Sequence, residues 1–240
     1  MKNKLLATIA LVGILCMSAS ADFVPFGAAT GYMNVFEING TGDGAGAYQF
    51  GSGWGVPDVK TLTSDDLTFE LFPNINTYDD NPGDAYWRNN AGAGPDGNKW
   101  LEASTFRELT LGAGETGATL DFNVSLFDLD PRYELTVFVK TLNPPGYGVS
   151  AIDSQVISGT IGTTTLSIGG PGSELVAGDI LQIGFQMAGI NASGLTDWGS
   201  ATATLESVDV VPEPATMGLL ALSGGFMMLI RRFRRHYRIG

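Results

Sequence analysis

The residues best suited to chemistry in this chain are flat rings and planar polar groups, and they gather in two stretches. Trp54 lies in an aromatic and glycine-rich stretch over 48–57. Tyr78, Tyr86, Trp87, Arg88, Asn89, Asn90 and Asn98 lie in a long segment over 73–98, and Trp100 follows it. A ring face buries the apolar face of a pyranose, while amides, guanidinium groups and carboxylates pair with its hydroxyls. Trp54, Tyr78, Tyr86, Trp87, Arg88, Asn90 and Trp100 are therefore the candidate carbohydrate-binding residues, with Asp84 and Asn98 beside them. The other role open to them is structural: the rings would fill a core and the polar groups would cap turns.

Calcium is a second chemistry open to the same segment. The ion takes about six to eight oxygens from carboxylates, amides and carbonyls. Asp79, Asp80, Asp84 and Asp96, with Asn81 and Asn98, could supply them. No EF-hand or nonapeptide spacing is present, and Asp, Asn and Gly are also ordinary turn residues. No cofactor other than calcium is suggested.

Catalysis has less to build on. The one histidine is His236, in the basic end of the chain, and the one cysteine is Cys16, near the start. Ser-His-Asp, Cys-His and His-based zinc sites are thereby excluded from the region between them. No G-x-S-x-G elbow occurs. Two carboxylates could make a glycosidase, but nothing in the sequence singles out a pair. The expectation is a protein that binds and does not catalyse, with a glycoside hydrolase as a lesser alternative.

The elements that must position these residues read as strands and turns. Residues 33–38 alternate weakly, and 47–51 form a short strand with Tyr48 and Phe50 on one face. Residues 67–72, 120–126 and 133–139 alternate apolar and polar with a period of two, and 99–106 read as another strand. Gln155–Gly159 and Thr163–Ile168 read as a hairpin around Gly162. Residues 180–187 are strongly apolar. Residues 201–211 place Ala203, Leu205, Val208 and Val210 inward, with an irregularity near Ser207. No window shows helical spacing with caps. The pattern predicts one all-β domain over 22–211, a single antiparallel β-sandwich of jelly-roll type. The segment over 73–98 interrupts the strand rhythm, and a connection of that length in a compact domain is commonly functional.

Charge narrows the partners. Residues 22–211 hold 24 acidic and 6 basic side chains, a net charge of −18. Such a surface repels nucleic acid and anionic lipid, and suits neutral sugars, divalent cations or plain solubility outside the cell.

Both ends carry addressing features. Lys2 and Lys4 precede an apolar run over 5–17, and Ala19-Ser20-Ala21 fits a signal-peptidase site, with Ala19 and Ala21 as its small residues. Residues 1–21 thus read as a cleaved signal peptide. Cys16 follows Leu15 where a lipoprotein signal needs a small residue, so it would leave with the peptide. At the other end stand Val211, Pro212, Glu213 and Pro214, then an uncharged, mostly apolar run over 215–230, then Arg231, Arg232, Arg234, Arg235 and Arg238. The two prolines fix φ and make a stiff, non-helical joint. The apolar run would span about 24 Å as a helix, short of a bilayer core of about 30 Å. The arginines would hold its far end in the cytoplasm.

This tail resembles the PEP-CTERM sorting signal of Gram-negative bacteria: a Val-Pro-Glu-Pro box, a short hydrophobic segment and an arginine cluster. The resemblance covers only the last thirty residues. It implies transient insertion in the inner membrane, processing near Pro212-Glu213-Pro214 by an exosortase-type transpeptidase, and delivery to the cell envelope, cell surface or extracellular matrix. An ordinary single-pass anchor is the alternative. PEP-CTERM proteins as a family are linked to exopolysaccharide, which makes extracellular polysaccharide the expected partner of the domain. The other expectation is a structural matrix protein or adhesin with an acidic, calcium-binding surface.

Overall fold

The structure, a computed structural model, describes residues 27–42, 44–63, 67–79, 83–88, 96–112, 115–157, 161–169 and 175–212. Among them, all regular structure is β apart from one four-residue helix, α1 (Asn76–Asp79). Two antiparallel sheets face each other. Sheet A has six strands in the order β2 (Ala45–Trp54), β1 (Thr30–Ile38), β5 (Asp96–Thr110), β10 (Ile180–Ala192), β7 (Glu134–Asn143) and β8 (Gly148–Ile157). Sheet B has five, in the order β3 (Thr61–Thr63), β4 (Thr68–Leu71), β11 (Ser200–Pro212), β6 (Glu115–Phe127) and β9 (Ile161–Gly169).

From β4 to β11 every connection crosses between the sheets except the β7–β8 hairpin. The central orders β4-β11-β6-β9 and β5-β10-β7-β8 are those of a jelly roll, with β3 added to one sheet and β1–β2 to the other. The period-two alternation explains why these segments pair this way. Leu120, Phe122 and Val124 on β6, Leu135, Val137 and Val139 on β7, and Leu181, Ile183 and Phe185 on β10 all turn into one core. The Phe185 ring lies 5.2 Å from Phe69 and 5.6 Å from Phe122, joining the two sheets. Each such side chain stabilises the fold by about 1.5–3 kcal/mol through burial. A smaller cluster of Met33, Val35, Val59, Leu101 and Ala103 lies under β1 and β5, with Trp54 and Trp87 packed against it.

Two expectations are corrected. Gln155 to Gly159 and Thr163 to Ile168 do not form a hairpin: β8 pairs with β7 in sheet A and β9 with β6 in sheet B. Both segments alternate, but alternation does not say which sheet a strand joins. Tyr48 and Phe50 do not share a face either. The β1–β2 register shifts between Val35 and Phe36, so Phe50 pairs with inward Val35 while Tyr48 pairs with outward Phe36. A bulge of this kind is invisible to a count of two. The irregularity near Ser207 is present as a register shift between Leu205 and Ser207. The long connection is shorter than expected, because β5 already begins at Asp96 and α1 occupies part of the rest.

Val211 and Pro212 continue β11 as extended chain. The signal peptide with Ala19 and Ala21, the rest of the tail signal (Glu213, Pro214, Arg231, Arg232, Arg234 and Arg235) and its expected helix over 215–230 lie outside the described residues. Among the described residues no helix is long and apolar enough to cross a membrane.

Candidate functional site

The long connection is fastened to the sandwich by Asn191, which is fully buried. Its Oδ1 accepts from the Lys99 backbone N–H at 2.9 Å and its Nδ2 donates to the Trp87 carbonyl at 2.8 Å. Gly97 is required beneath it, since a Cβ there would overlap the Asn191 side chain. Most of the expected sugar-facing residues serve this attachment. Trp87 and Trp54 are half-buried on the Met33 cluster, and Trp54 Nε1 donates to Ser52 Oγ at 2.7 Å. Tyr78 is buried at 7% exposure, with the Arg88 guanidinium 4.2 Å above its ring. Arg88 Nε also donates to the Tyr78 carbonyl at 2.5 Å, and Arg88 pairs with Asp79 at 3.7 Å. Trp54 and Trp87 thus pack against the smaller core cluster, and Tyr78 and Arg88 against each other. Of this group Tyr86 alone stays open, at 37% exposure. It stacks with Phe50 at 6.5 Å, and the Lys99 ammonium, held by Glu37 at 2.9 Å, lies 4.3 Å over its ring. Desolvation, then the nearby Glu37 and Asp84 charges, push its phenol pKa up. Asn90 lies outside the described residues.

The calcium candidates are dispersed into local roles. Asp79 Oδ2 accepts from the Gly194 N–H at 2.8 Å, Asp84 Oδ1 from the Tyr86 N–H at 2.8 Å, and Asp96 pairs with Arg132 at 2.9 Å. Asp80 lies outside the described residues. Among the described residues no three acidic, histidine or cysteine side chains gather where they could hold a metal.

Trp100 belongs to a different surface, the outer face of sheet A. Strand registers place its neighbours. One row across the strands reads Tyr48, Phe36, Trp100 and Ile190. The next reads Gly51, Asn34, Glu102, Ala188 and Glu134, and the third reads Gly53, Tyr32, Ser104, Gln186, Thr136 and Val156. A polar row therefore lies between an aromatic row and a mixed one. Phe36 and Tyr48 meet edge to face at 5.5 Å, and Gln186 Nε2 donates to Ser104 Oγ at 3.3 Å.

The geometry is tightest over Gly51. Asn34 Nδ2 donates to Glu102 Oε2 at 3.2 Å. A carboxylate only accepts, so this contact turns the amide oxygen the other way. A Cβ at Gly51 would lie 2.5 Å from Asn34 Oδ1, 2.5 Å from the Tyr32 hydroxyl and 2.9 Å from the Tyr48 hydroxyl. Three polar atoms from two strands thus converge above a residue with no side chain. Tyr32 and Tyr48 are 37% and 57% exposed. Trp100, Asn34 and Glu102 are half-buried.

Trp100 is among the residues expected from the sequence to face a sugar, while Tyr32, Asn34, Tyr48, Glu102 and Gln186 are brought beside it by the strand registers. A signal for them existed. On β1 the residues alternating with buried Met33 and Val35 are Tyr32, Asn34 and Phe36, and on β5 those alternating with Leu101 and Ala103 are Trp100, Glu102 and Ser104. An outward face rich in rings and amides is unusual for a plain solvated surface.

No protein-family model matches the chain, and no curated protein matches it. Among solved structures the chain is similar to one described as "CBM4 structure and function", at 13% identity over 58% of this chain and 95% of that one, with a TM-score of 0.31. It is similar to TmCBM61 in complex with beta-1,4-galactotriose, at 12% identity over 80% and 91% of the two chains, TM-score 0.32. It is also similar to an exo-1,3/1,4-beta-glucanase (EXOP) from a Pseudoalteromonas species, at 8% identity over 80% of this chain but 21% of that one, TM-score 0.28. At these scores none of the three carries an argument about what this chain does.

Proposed function

We propose that this is an exported, non-catalytic carbohydrate-binding protein, and that the outer face of sheet A is its sugar site. The observation that carries the reading is the convergence of Asn34 Oδ1 and the Tyr32 and Tyr48 hydroxyls over Gly51, one row from the Trp100 ring. Rings beside convergent, partly desolvated polar atoms are what a pyranose needs. The polar row crosses five strands from β2 to β7. At about 4.8 Å per strand it spans about 19 Å. That length suits several units of a polysaccharide better than one monosaccharide. The Tyr86–Phe50 pair, on the inner side of the same strands, is a lesser candidate surface.

The tail completes the proposal. Its likeness to a PEP-CTERM signal supports export, processing by an exosortase-type transpeptidase and delivery to the envelope or matrix, where exopolysaccharide is the partner at hand. The test is binding of the purified exported protein to an oligosaccharide array, compared with Trp100→Ala. Signals that the variant loses support the reading, and a silent array removes it.

A structural matrix role is favoured by one observation. Edge strand β8 exposes Val149, Ile152 and Val156 at 56, 61 and 47%. Exposed apolar edges promote pairing between chains. Self-association that is independent of sugar would favour this second reading.

A further inference from the structure

We infer that the outer face of sheet A takes an uncharged, hydroxyl-rich glycan and rejects chains carrying carboxylate or sulfate groups. The inference rests on the reading of that face as the sugar site and names its substrate class. It starts from the pattern of donors and acceptors. Glu102 occupies the Asn34 Nδ2 group, so Asn34 presents its oxygen toward Gly51. The Glu102 carboxylate itself can only accept. The Tyr32 and Tyr48 hydroxyls can do either. The Asn34 oxygen and the Glu102 carboxylate must therefore be met by hydrogen-bond donors of the ligand. Sugar hydroxyls supply them, and a carboxylate or sulfate does not.

Charge points the same way. The polar row holds Glu102 and, at its β7 end, exposed Glu134. Of the basic residues within strands, pairing places Lys140 on this face, and Arg132, two residues before Glu134, is held by Asp96 and Asp130. Lys140 lies in the row Glu108, Gln182, Lys140 and Ile152, far from Gly51. It is wedged 5.0 Å from the Phe138 ring and 5.7 Å from the Phe106 ring, with Glu108 as its nearby counter-charge. The other cations are committed elsewhere. Lys99 pairs with Glu37 and Arg132 with Asp96 and Asp130, Arg88 holds the Tyr78 loop, Arg107 reaches the Gly27 carbonyl, and Lys60 lines a cleft beside Leu195. Among the described residues, an acidic polymer in the row would thus meet two carboxylates, with the Arg132 guanidinium near the Glu134 end already paired with Asp96 and Asp130, on a domain of net charge −18.

The test uses the full exported protein and an array that prints each neutral oligosaccharide beside its C6-oxidised uronate form, read at low and high salt. The expected result is that neutral members bind at least about tenfold tighter, the equivalent of about 1.4 kcal/mol. The gap should narrow at high salt, where screening weakens repulsion, and narrow again in Glu102→Gln and Glu134→Gln. Equal or tighter binding of the uronate forms, or a gap that neither salt nor either variant moves, would overturn the inference while leaving sugar binding in place. Binding to no member of either series would instead overturn the sugar-site reading beneath it.

Discussion

Glu102 sets the direction in which Asn34 points. The 3.2 Å contact from Asn34 Nδ2 to Glu102 Oε2 joins neighbouring strands β1 and β5 and leaves Asn34 Oδ1 over Gly51. Glu102→Ala releases the amide to rotate, and sugar affinity should fall by about tenfold, the scale of one lost hydrogen bond at a partly buried site. Gly51→Ala should act by a different route. The atoms it would displace are the far ends of Tyr32, Tyr48 and Asn34, which can swing aside, so the fold should tolerate it while the convergence is lost. Titration calorimetry alongside thermal melting separates the two effects: affinity drops in both variants and the melting curve barely moves in Gly51→Ala.

The loop aromatics should behave in the opposite way. Trp87 is half-buried on the Met33 cluster, and its carbonyl accepts from buried Asn191. Trp87→Ala should cost about 2 kcal/mol, below the range for a fully buried tryptophan because part of the ring is open. Asn191→Ala should cost about as much, since it leaves the Lys99 N–H without its partner and the Trp87 carbonyl with only the 3.4 Å contact from the Asn98 N–H. Urea denaturation would check both, and sugar affinity per folded molecule should stay near that of the parent.

Much of the fold was legible because alternation with a period of two is a strong local signal. Leu120, Phe122 and Val124 announce one face of β6 regardless of what covers it. The sheet to which each strand belongs was not legible, as β8 and β9 show, since both alternate and neither names its partner. The proposed site was only partly legible for the same reason. Trp100, Tyr86 and Trp87 stand close in the chain, which suggested a common surface. Trp100 in fact lies on the outer face of β5, while Trp87 packs on the inner side. Asn34, Tyr48 and Glu102 are far apart in sequence and meet only through the β1–β2 bulge and the β1–β5 register.

Acid should weaken the fold in a definite window. Asp121 has its pKa lowered by the Thr165 hydroxyl, with Ser207 adding to it, and Asp130 by the Arg132 guanidinium. A carboxyl whose folded pKa lies below its unfolded value of about 4 stabilises above that pH, and the stabilisation is lost as pH falls through the folded value. The melting temperature should therefore hold between about pH 7 and 5 and fall below about pH 4. Asp121→Asn and Asp130→Asn should each flatten that fall. An unchanged slope in both would assign acid sensitivity to other groups.

Processing at the tail is open to a mass measurement. If Pro212-Glu213-Pro214 is a sorting box, secreted protein should lack Arg231 to Arg238, and Glu213→Ala should accumulate as a full-length membrane precursor. Recovery of secreted protein that still carries Arg238 would reduce the tail to an anchor.

If the outer face of sheet A is the sugar site, Trp100 should contribute most to binding, because it is partly exposed there and belongs to neither core cluster. The measurement is calorimetric affinity of the purified protein for oligosaccharides, for parent and Trp100→Ala. Trp100→Ala should lose at least about tenfold, the effect of removing a stacking ring, with a melting temperature close to that of the parent. Undiminished affinity in Trp100→Ala, with loss instead in Tyr86→Ala, would contradict it and move the site to the other side of the strands.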